Sequence, residues 1–158
     1  MSKVVSGGQT GVDRAALDAA LELGIEIGGW CPQDRWAEDG VIPAKYPLTP
    51  ADSEDRSERT ALNVKAATAT LILHDGSESP GTQFTEELAR SGGKPCLVAS
   101  LDHPRVIESI RFWLDRTKPE ILNVAGPRAS ESPHIYEMAR QCLLEVFGGS
   151  EVERRLDQ

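Results

Sequence analysis

Val4-Val5-Ser6-Gly7-Gly8-Gln9-Thr10-Gly11-Val12-Asp13-Arg14 constrains this chain more than any other stretch. A β-branched run breaks on a glycine pair and passes into a segment with apolar residues at Val12, Ala16, Leu17, Ala20, Leu21 and Leu23. That is the wide apolar stripe of a helix packed on a sheet. A strand that turns on glycines into a helix start aims unpaired N–H groups at one spot, backed by the positive end of the helix dipole. Anions, phosphates above all, bind at such spots, and glycines let them approach the main chain. The pattern predicts an anion held by Gly7, Gly8, Gln9, Thr10 and Gly11.

The rest of the chain repeats the same alternation. Strands are expected at Lys3–Ser6, Ile25–Ile27, Thr68–His74, Lys94–Ser100 and Glu120–Ala125. The β-branched and apolar run Thr68–His74 reads as a central buried strand and Lys94–Ser100 as another buried one. Helices are expected from Thr10 to Leu23, about Ser53 or Asp55 to Ala67, Gln83 to Ser91, about Pro104 to Asp115 and about Glu131 to Phe147. Gly24 is placed to close the first helix and Asp102 to cap the fourth. Alternating strands and helices predict an α/β chain with a parallel sheet of about five strands, covered by helices on both faces in three layers. The simplest strand order is 2-1-3-4-5, with a switch point between the first and third strands, where ligands bind at the carboxyl ends. Gly7–Gly11 and Asp75–Thr82 would flank it. A single domain over residues 1–158 is expected, with a long binding loop at about 30–53 and a frayed polar tail after about 148.

Several classes of partner are excluded as expectations. A net charge of −8 argues against a nucleic-acid duplex. No segment approaches the roughly 18 apolar residues of a membrane span. Met1-Ser2-Lys3-Val4 enters a strand directly, without a signal peptide, so a cytoplasmic location is expected. Cys31, Cys96 and Cys142 are scattered, as are His74, His103 and His134, so no metal site is expected. Cys96 and Cys142 read as buried residues, whereas Cys31, between Trp30 and Pro32 in a loop, is the one placed for exposure.

The opening turn also fails two familiar fingerprints. Its spacing is Gly7-Gly8-x-x-Gly11 rather than GxGxxG, and the second strand ends in Gly28-Gly29-Trp30 without a ribose-binding acid. No lysine stands where a P-loop needs one. Arg14 in a first helical turn opposes the dipole, so it should meet an acid or an anion. Ser79-Pro80-Gly81-Thr82 repeats the turn–glycine–hydroxyl–helix logic on the other side of the expected switch point. Arg56, Arg59, Thr60 and Asn63 share one side of the second helix, either as a solvated face or as ligand contacts. Trp30 and Tyr46 either wall a planar ring or cover the core. Asn123–Ser130 ends the last strand with a Gly-Pro turn and Arg128; in the 2-1-3-4-5 order it lies two strands away, roughly 10 Å, reaching only a large ligand's far end or a neighbouring subunit.

With these residues assembled, the chain resembles the molybdenum carrier family, the molybdenum cofactor carrier-like proteins of the Rossmann-like superfamily shared with the Lonely Guy and DprA proteins. The likeness runs through Ser6–Arg14, Gly29-Trp30-Cys31-Pro32, Glu38-Asp39-Gly40, Tyr46-Pro47-Leu48, Arg59-Thr60, Asn63-Val64, Ser79–Thr82 and Asn123–Arg128. It implies a Rossmann-like fold, a homo-oligomer, and an anionic ligand that is a pterin phosphate or a nucleotide. Molybdenum cofactor (molybdopterin), carried or stored, is the ligand the family name suggests. The candidate ligand-binding site read from the turns and helix starts above comprises Gly7, Gly8, Gln9, Thr10, Gly11, Arg14, Arg59, Asn63, Ser79, Gly81, Thr82 and Arg128. One departure favours binding over catalysis. Lonely Guy hydrolases carry GGxGTxxE, and matching its Gly-Thr to Gly81-Thr82 puts Thr85 where the acid belongs. Glu86 is one residue out of register, about 100° round a helix. The alternatives are a nucleotide N-glycosidase using Glu86 or Asp13 as acid, and a nucleotide-sensing oligomeric scaffold.

Overall fold

The computed structural model describes residues 1–149; the expected frayed tail falls at 150–158, outside the described residues. Five strands, β1 (Lys3–Val5), β2 (Glu26–Gly28), β3 (Ala69–His74), β4 (Cys96–Ser100) and β5 (Ile121–Ala125), form one wholly parallel sheet. Five helices connect and cover it: α1 (Val12–Glu22), α2 (Ser57–Ala66), α3 (Pro80–Ser91), α4 (Val106–Thr117) and α5 (Ile135–Gly148). α1, α4 and α5 pack together on one face, and α2 packs with α3 on the other. The result is the expected three-layer Rossmann-like α/β fold.

The strand order differs from the simplest expectation. It is β2-β1-β5-β3-β4, with Lys3 opposite both Glu26 and Ile121, and Leu71 opposite both Leu97 and Val124. β5 enters the middle of the sheet, and its Leu122, Asn123 and Val124 are buried accordingly. β4, expected to be buried, is left as a half-covered edge, with Cys96, Leu97 and Val98 partly exposed. Chain order alone does not say where a late strand inserts. Counting from β5 turns the arrangement into 3-2-1-4-5, the ordinary doubly wound order, begun one strand–helix unit late. The switch point therefore lies between β5 and β3, whose following helices α5 and α3 take opposite faces.

The period of two along the strands divides the interior. Leu71, Leu73, Leu122 and Val124 join Ala16, Leu17, Ala20, Ile135 and Leu143 in the main core beneath α1 and α5. The opposite side of the same strands is polar at Thr70 and Asn123, with Asn123 Nδ2 donating to Thr70 Oγ1 at 3.4 Å. That polar side faces α2 and α3.

Three local expectations change. α3 begins at Pro80 rather than Gln83, because Ser79 caps it and proline suits the first helical position. α4 begins at Val106 without help from Asp102; His103 Nδ1 accepts the Arg105 N–H at 3.1 Å instead. The stretch from 30 to 53 is not structureless. Trp30–Cys31 pairs in parallel with Thr49–Pro50, and Trp36–Ala37 pairs with Gly40–Val41. Arg35 holds it, donating to the carbonyls of Ile42, Pro43, Tyr46 and Leu48 at 3.0–3.2 Å. Cys31 is fully buried there, against the expectation of exposure. Tyr46, 2% exposed, covers the core rather than walling a ring, and its hydroxyl shares Asp18 with that of Tyr136.

Candidate functional site

The switch point opens into a cleft of about 220 Å³ built from four segments: the β1–α1 turn, the start of α2, the start of α3 and the β5–α5 turn. Gln9, Asp13, Arg59, Thr60, Ser79, Gly81, Thr82 and Arg128 reach it. β5 lies between β1 and β3, so the Ala125–Arg128 turn borders the cleft instead of standing two strands off.

The opening glycine turn is there, but its glycines serve the protein's own packing. A Cβ on Gly7 would fall 2.0 Å from the Arg59 guanidinium, on Gly8 2.6 Å from Leu48, and on Gly11 2.3 Å from the Pro127 carbonyl oxygen. Gly11 also has φ of +80°, a conformation glycine tolerates best. The Pro127 carbonyl accepts the Val12 N–H at 3.2 Å and so stoppers the start of α1. The expected anion cradle at Gly7–Gly11 is thus filled from within. The open glycine is Gly81, with no atom within 4 Å of where a Cβ would stand. It sits in the first turn of α3, where Pro80 has no N–H and the Thr82 N–H turns back to the Ser79 hydroxyl at 3.4 Å, so the Gly81 N–H is the donor left pointing out of the helix end. Ser79 organises this end: its carbonyl accepts the Gln83 N–H at 3.0 Å, and its hydroxyl pairs with that of Thr82 at 2.6 Å.

Arg14 is not brought to the cleft. It forms a fork with Asp39, at 2.7 and 3.1 Å, and donates to the Gly8 carbonyl, so the acid it was expected to meet is Asp39. The guanidinium hydrogen bonds hold the Asp39 carboxyl below its ordinary range. Asn63 is also spent inside the protein, its amide exchanging two bonds with the backbone of Trp30. Thr10 faces Glu38 and receives the Ala129 N–H. Glu86 lies outside the cleft, paired with Arg90.

What remains in the cleft is a set of donors beside two carboxyl side chains, Asp13 and Glu131. Gln9 is 8% exposed, and its Oε1 accepts the N–H groups of both Thr10 and Glu38 at 3.0 Å. The two bonds fix the amide and leave Nε2 as a donor on the cleft side. Arg59 Nη1 donates to Asp13 at 3.2 Å, and its Nε is buried without a partner. Arg128 is half exposed, its Nε 3.7 Å from Glu38 and 3.8 Å from Glu131, too loosely held to be locked. Asp13 accepts the Gln9 N–H as well; burial pushes its carboxyl above the ordinary range despite the pull of Arg59.

Glu38, which the sequence marked only within the Glu38-Asp39-Gly40 stretch of the family likeness, is the clasp of the site. Its carboxylate receives the Thr10 hydroxyl, the Ser130 N–H at 3.0 Å and the Ser130 hydroxyl at 2.6 Å. Burial is the largest single influence on it and acts upward; the Ser130 and Thr10 hydrogen bonds with Arg128 outweigh it and hold the carboxyl low. Across the cleft, Ser132 bonds Asp75, and Ser79 donates to Glu131 at 3.2 Å. The two turns that flank the switch point are therefore tied together.

Comparison with known proteins agrees with the permuted strand order. A family described as the circularly permutated YpsA SLOG family matches residues 4–147. A solved protein from Syntrophus aciditrophicus, named "Putative molybdenum carrier protein", is 42% identical with a TM-score of 0.86, over 94% of this chain and 96% of that one. None of the curated proteins matches. By its sequence, and by a central strand that comes last in the chain, this protein belongs to the circularly permutated YpsA SLOG family.

Proposed function

We propose that the chain binds an anionic, phosphate-bearing small molecule in this cleft and acts as a carrier or store for it, with molybdenum cofactor as the leading ligand. The observation that carries the reading is the convergence, at the switch point, of donors that the protein itself leaves unused. These are the Gln9 amide and the open helix start at Gly81, beside the cations Arg59 and Arg128. Helix starts and charged donors together suit phosphate. The name of the Syntrophus protein supports molybdenum cofactor in particular. The donor set fits that cofactor's phosphate, which Gly81, Gln9, Arg59 and Arg128 would hold, with Thr82 spent on its cap, Ser79. Bound there, the cofactor would supply its own metal chemistry. Among the described residues no group of three or more His, Cys, Asp or Glu stands ready to take a metal ion, so the grip falls on phosphate and organic frame.

Calorimetry with molybdenum cofactor, a pterin monophosphate and nucleoside monophosphates tests this. Arg59→Met or Gln9→Leu should weaken binding about tenfold, one charged hydrogen bond's worth, while Arg14→Ala changes it little. Equal losses in all three variants, or no binding by the parent protein, would sink the proposal.

A second reading rests on Asp13, a cleft carboxyl with a raised pKa, the property of a general acid. It makes the protein a nucleotide N-glycosidase, and free base released from nucleoside monophosphates is its signature. A ligand-sensing homo-oligomer, acting in the cytoplasm, is the third; sedimentation with and without nucleotide separates it from a plain carrier. No helix among the described residues is long and apolar enough to cross a membrane.

A further inference from the structure

Behind the start of α3 lies a second hollow of about 270 Å³, which shares Ser79 and Thr82 with the anion cleft. Its floor is apolar: Ile72, Val98 and Pro127. Ile72 and Val98 are register partners on adjacent strands, which makes a level bed for a flat ring. Its rim carries His74, Gln83 and Glu86. The His74 Nδ1 accepts the Gly76 N–H at 3.1 Å, so in the neutral ring Nε2 carries the hydrogen and donates. Among the described residues Glu86 is hydrogen-bonded to Arg90 alone, at 3.4 Å, and both side chains are more than a third exposed. Its carboxylate keeps most of its accepting capacity. Each cavity alone is smaller than the roughly 300–1,000 Å³ of ordinary small-molecule sites; a ligand that passes over the Ser79–Thr82 pair and occupies both has room within that range.

We propose that this hollow seats the heterocycle of the ligand whose phosphate occupies the cleft, and that Glu86 selects a 2-amino-4-oxopyrimidine edge, the edge shared by guanine and pterins. The proposal rests on the phosphate reading above. Glu86 follows Gly81 by five residues, about 7.5 Å along a helix rising 1.5 Å per residue. A ligand with a linker of a few atoms between phosphate and ring spans that interval. A carboxylate can only accept, so it pairs with two adjacent donors, the ring N–H and the exocyclic amine of that edge. The neighbouring oxo group then meets donors from His74 or Gln83. Adenine turns an acceptor nitrogen toward the carboxylate, and hypoxanthine lacks the second donor. A polar mismatch of this kind discriminates far more strongly than a missing methylene.

Calorimetry on the full chain tests it, with GMP, neopterin monophosphate, IMP, AMP and inorganic pyrophosphate as probes. The expected result is that GMP, neopterin monophosphate or both bind about tenfold tighter than IMP and AMP. Which of the two binds tighter separates a guanine ligand from a pterin one. Glu86→Gln should abolish the preference and leave pyrophosphate affinity unchanged. If pyrophosphate binds but all four ring-bearing probes bind alike, or the preference survives in Glu86→Gln, the ring proposal fails and the phosphate site stands. If pyrophosphate and every nucleotide fail to bind, both fall.

Discussion

Replacing Glu38 by glutamine keeps its shape and removes its charge. Three hydrogen bonds converge on this carboxylate, from the Thr10 hydroxyl, the Ser130 N–H and the Ser130 hydroxyl, with Arg128 3.7 Å away. A hydrogen bond to a charged group contributes about 1.5–3 kcal/mol and one between neutral groups about 0.5–1.5. Across three bonds on a side chain that is 20% exposed, the loss should come to about 2 kcal/mol, or about 4–8 °C in Tm for a domain of this size. The pH dependence follows from the depressed carboxyl. Its stabilisation is fully present above the unfolded glutamate value, about 4.3. It disappears as the pH falls through the lower folded value, when the native carboxylate takes up a proton. Urea unfolding of both proteins across pH 7 to 3.5 should therefore show a gap that closes on acidification. A variant as stable as the parent at pH 7, or a gap undiminished at pH 3.5, would refute the role given to Glu38.

Two further perturbations follow from the same geometry. Gly81→Ala should leave urea stability within about 0.5 kcal/mol, because its Cβ enters open space in a helix, yet weaken phosphate binding. Gly11→Ala should cost at least about 2 kcal/mol in the same unfolding assay, since the left-handed backbone alone costs about 1–2 and the Cβ meets the Pro127 carbonyl at 2.3 Å. In Arg59→Met the buried Asp13 loses its cation and its raised pKa climbs further. A raised folded pKa gives stability that is lost as pH rises through it. Denaturation should show the variant losing more stability than the parent as the pH rises above the unfolded aspartate value, about 3.9, and equal losses would count against the pairing.

The helix with the long apolar stripe, α1, was legible because packing on a sheet dictates its period, whereas α5 begins at Ile135, four residues after its expected start. The central burial of β3 showed in its unbroken β-branched and apolar run. The strand order did not show, because nothing local in Ile121–Ala125 says that it inserts beside β1. That one fact moved the switch point and brought Arg128 to the cleft. The glycine turn was legible as a turn, but which atoms fill the space beside Gly7, Gly8 and Gly11 is a tertiary matter. Pro127, Leu48 and Arg59 lie 40 to 116 positions away in the chain. Ser79–Thr82 carried the right signal, a hydroxyl cap followed by Pro and Gly, and was only read three residues short. Arg35 left no trace and Glu38 showed only within the Glu38-Asp39-Gly40 stretch of the family likeness, since a lone charge in a loop looks the same whether it is solvated or knits the loop together.

The most direct test of the cleft is a ¹⁵N–¹H correlation spectrum recorded during titration with inorganic pyrophosphate. The anion should shift the Gly81 and Thr82 amides and the side-chain amide of Gln9, with Gly8 and Gly11 nearly still. Shifts centred on Gly8–Gly11 with Gly81 silent would return the anion to the glycine turn and contradict the account.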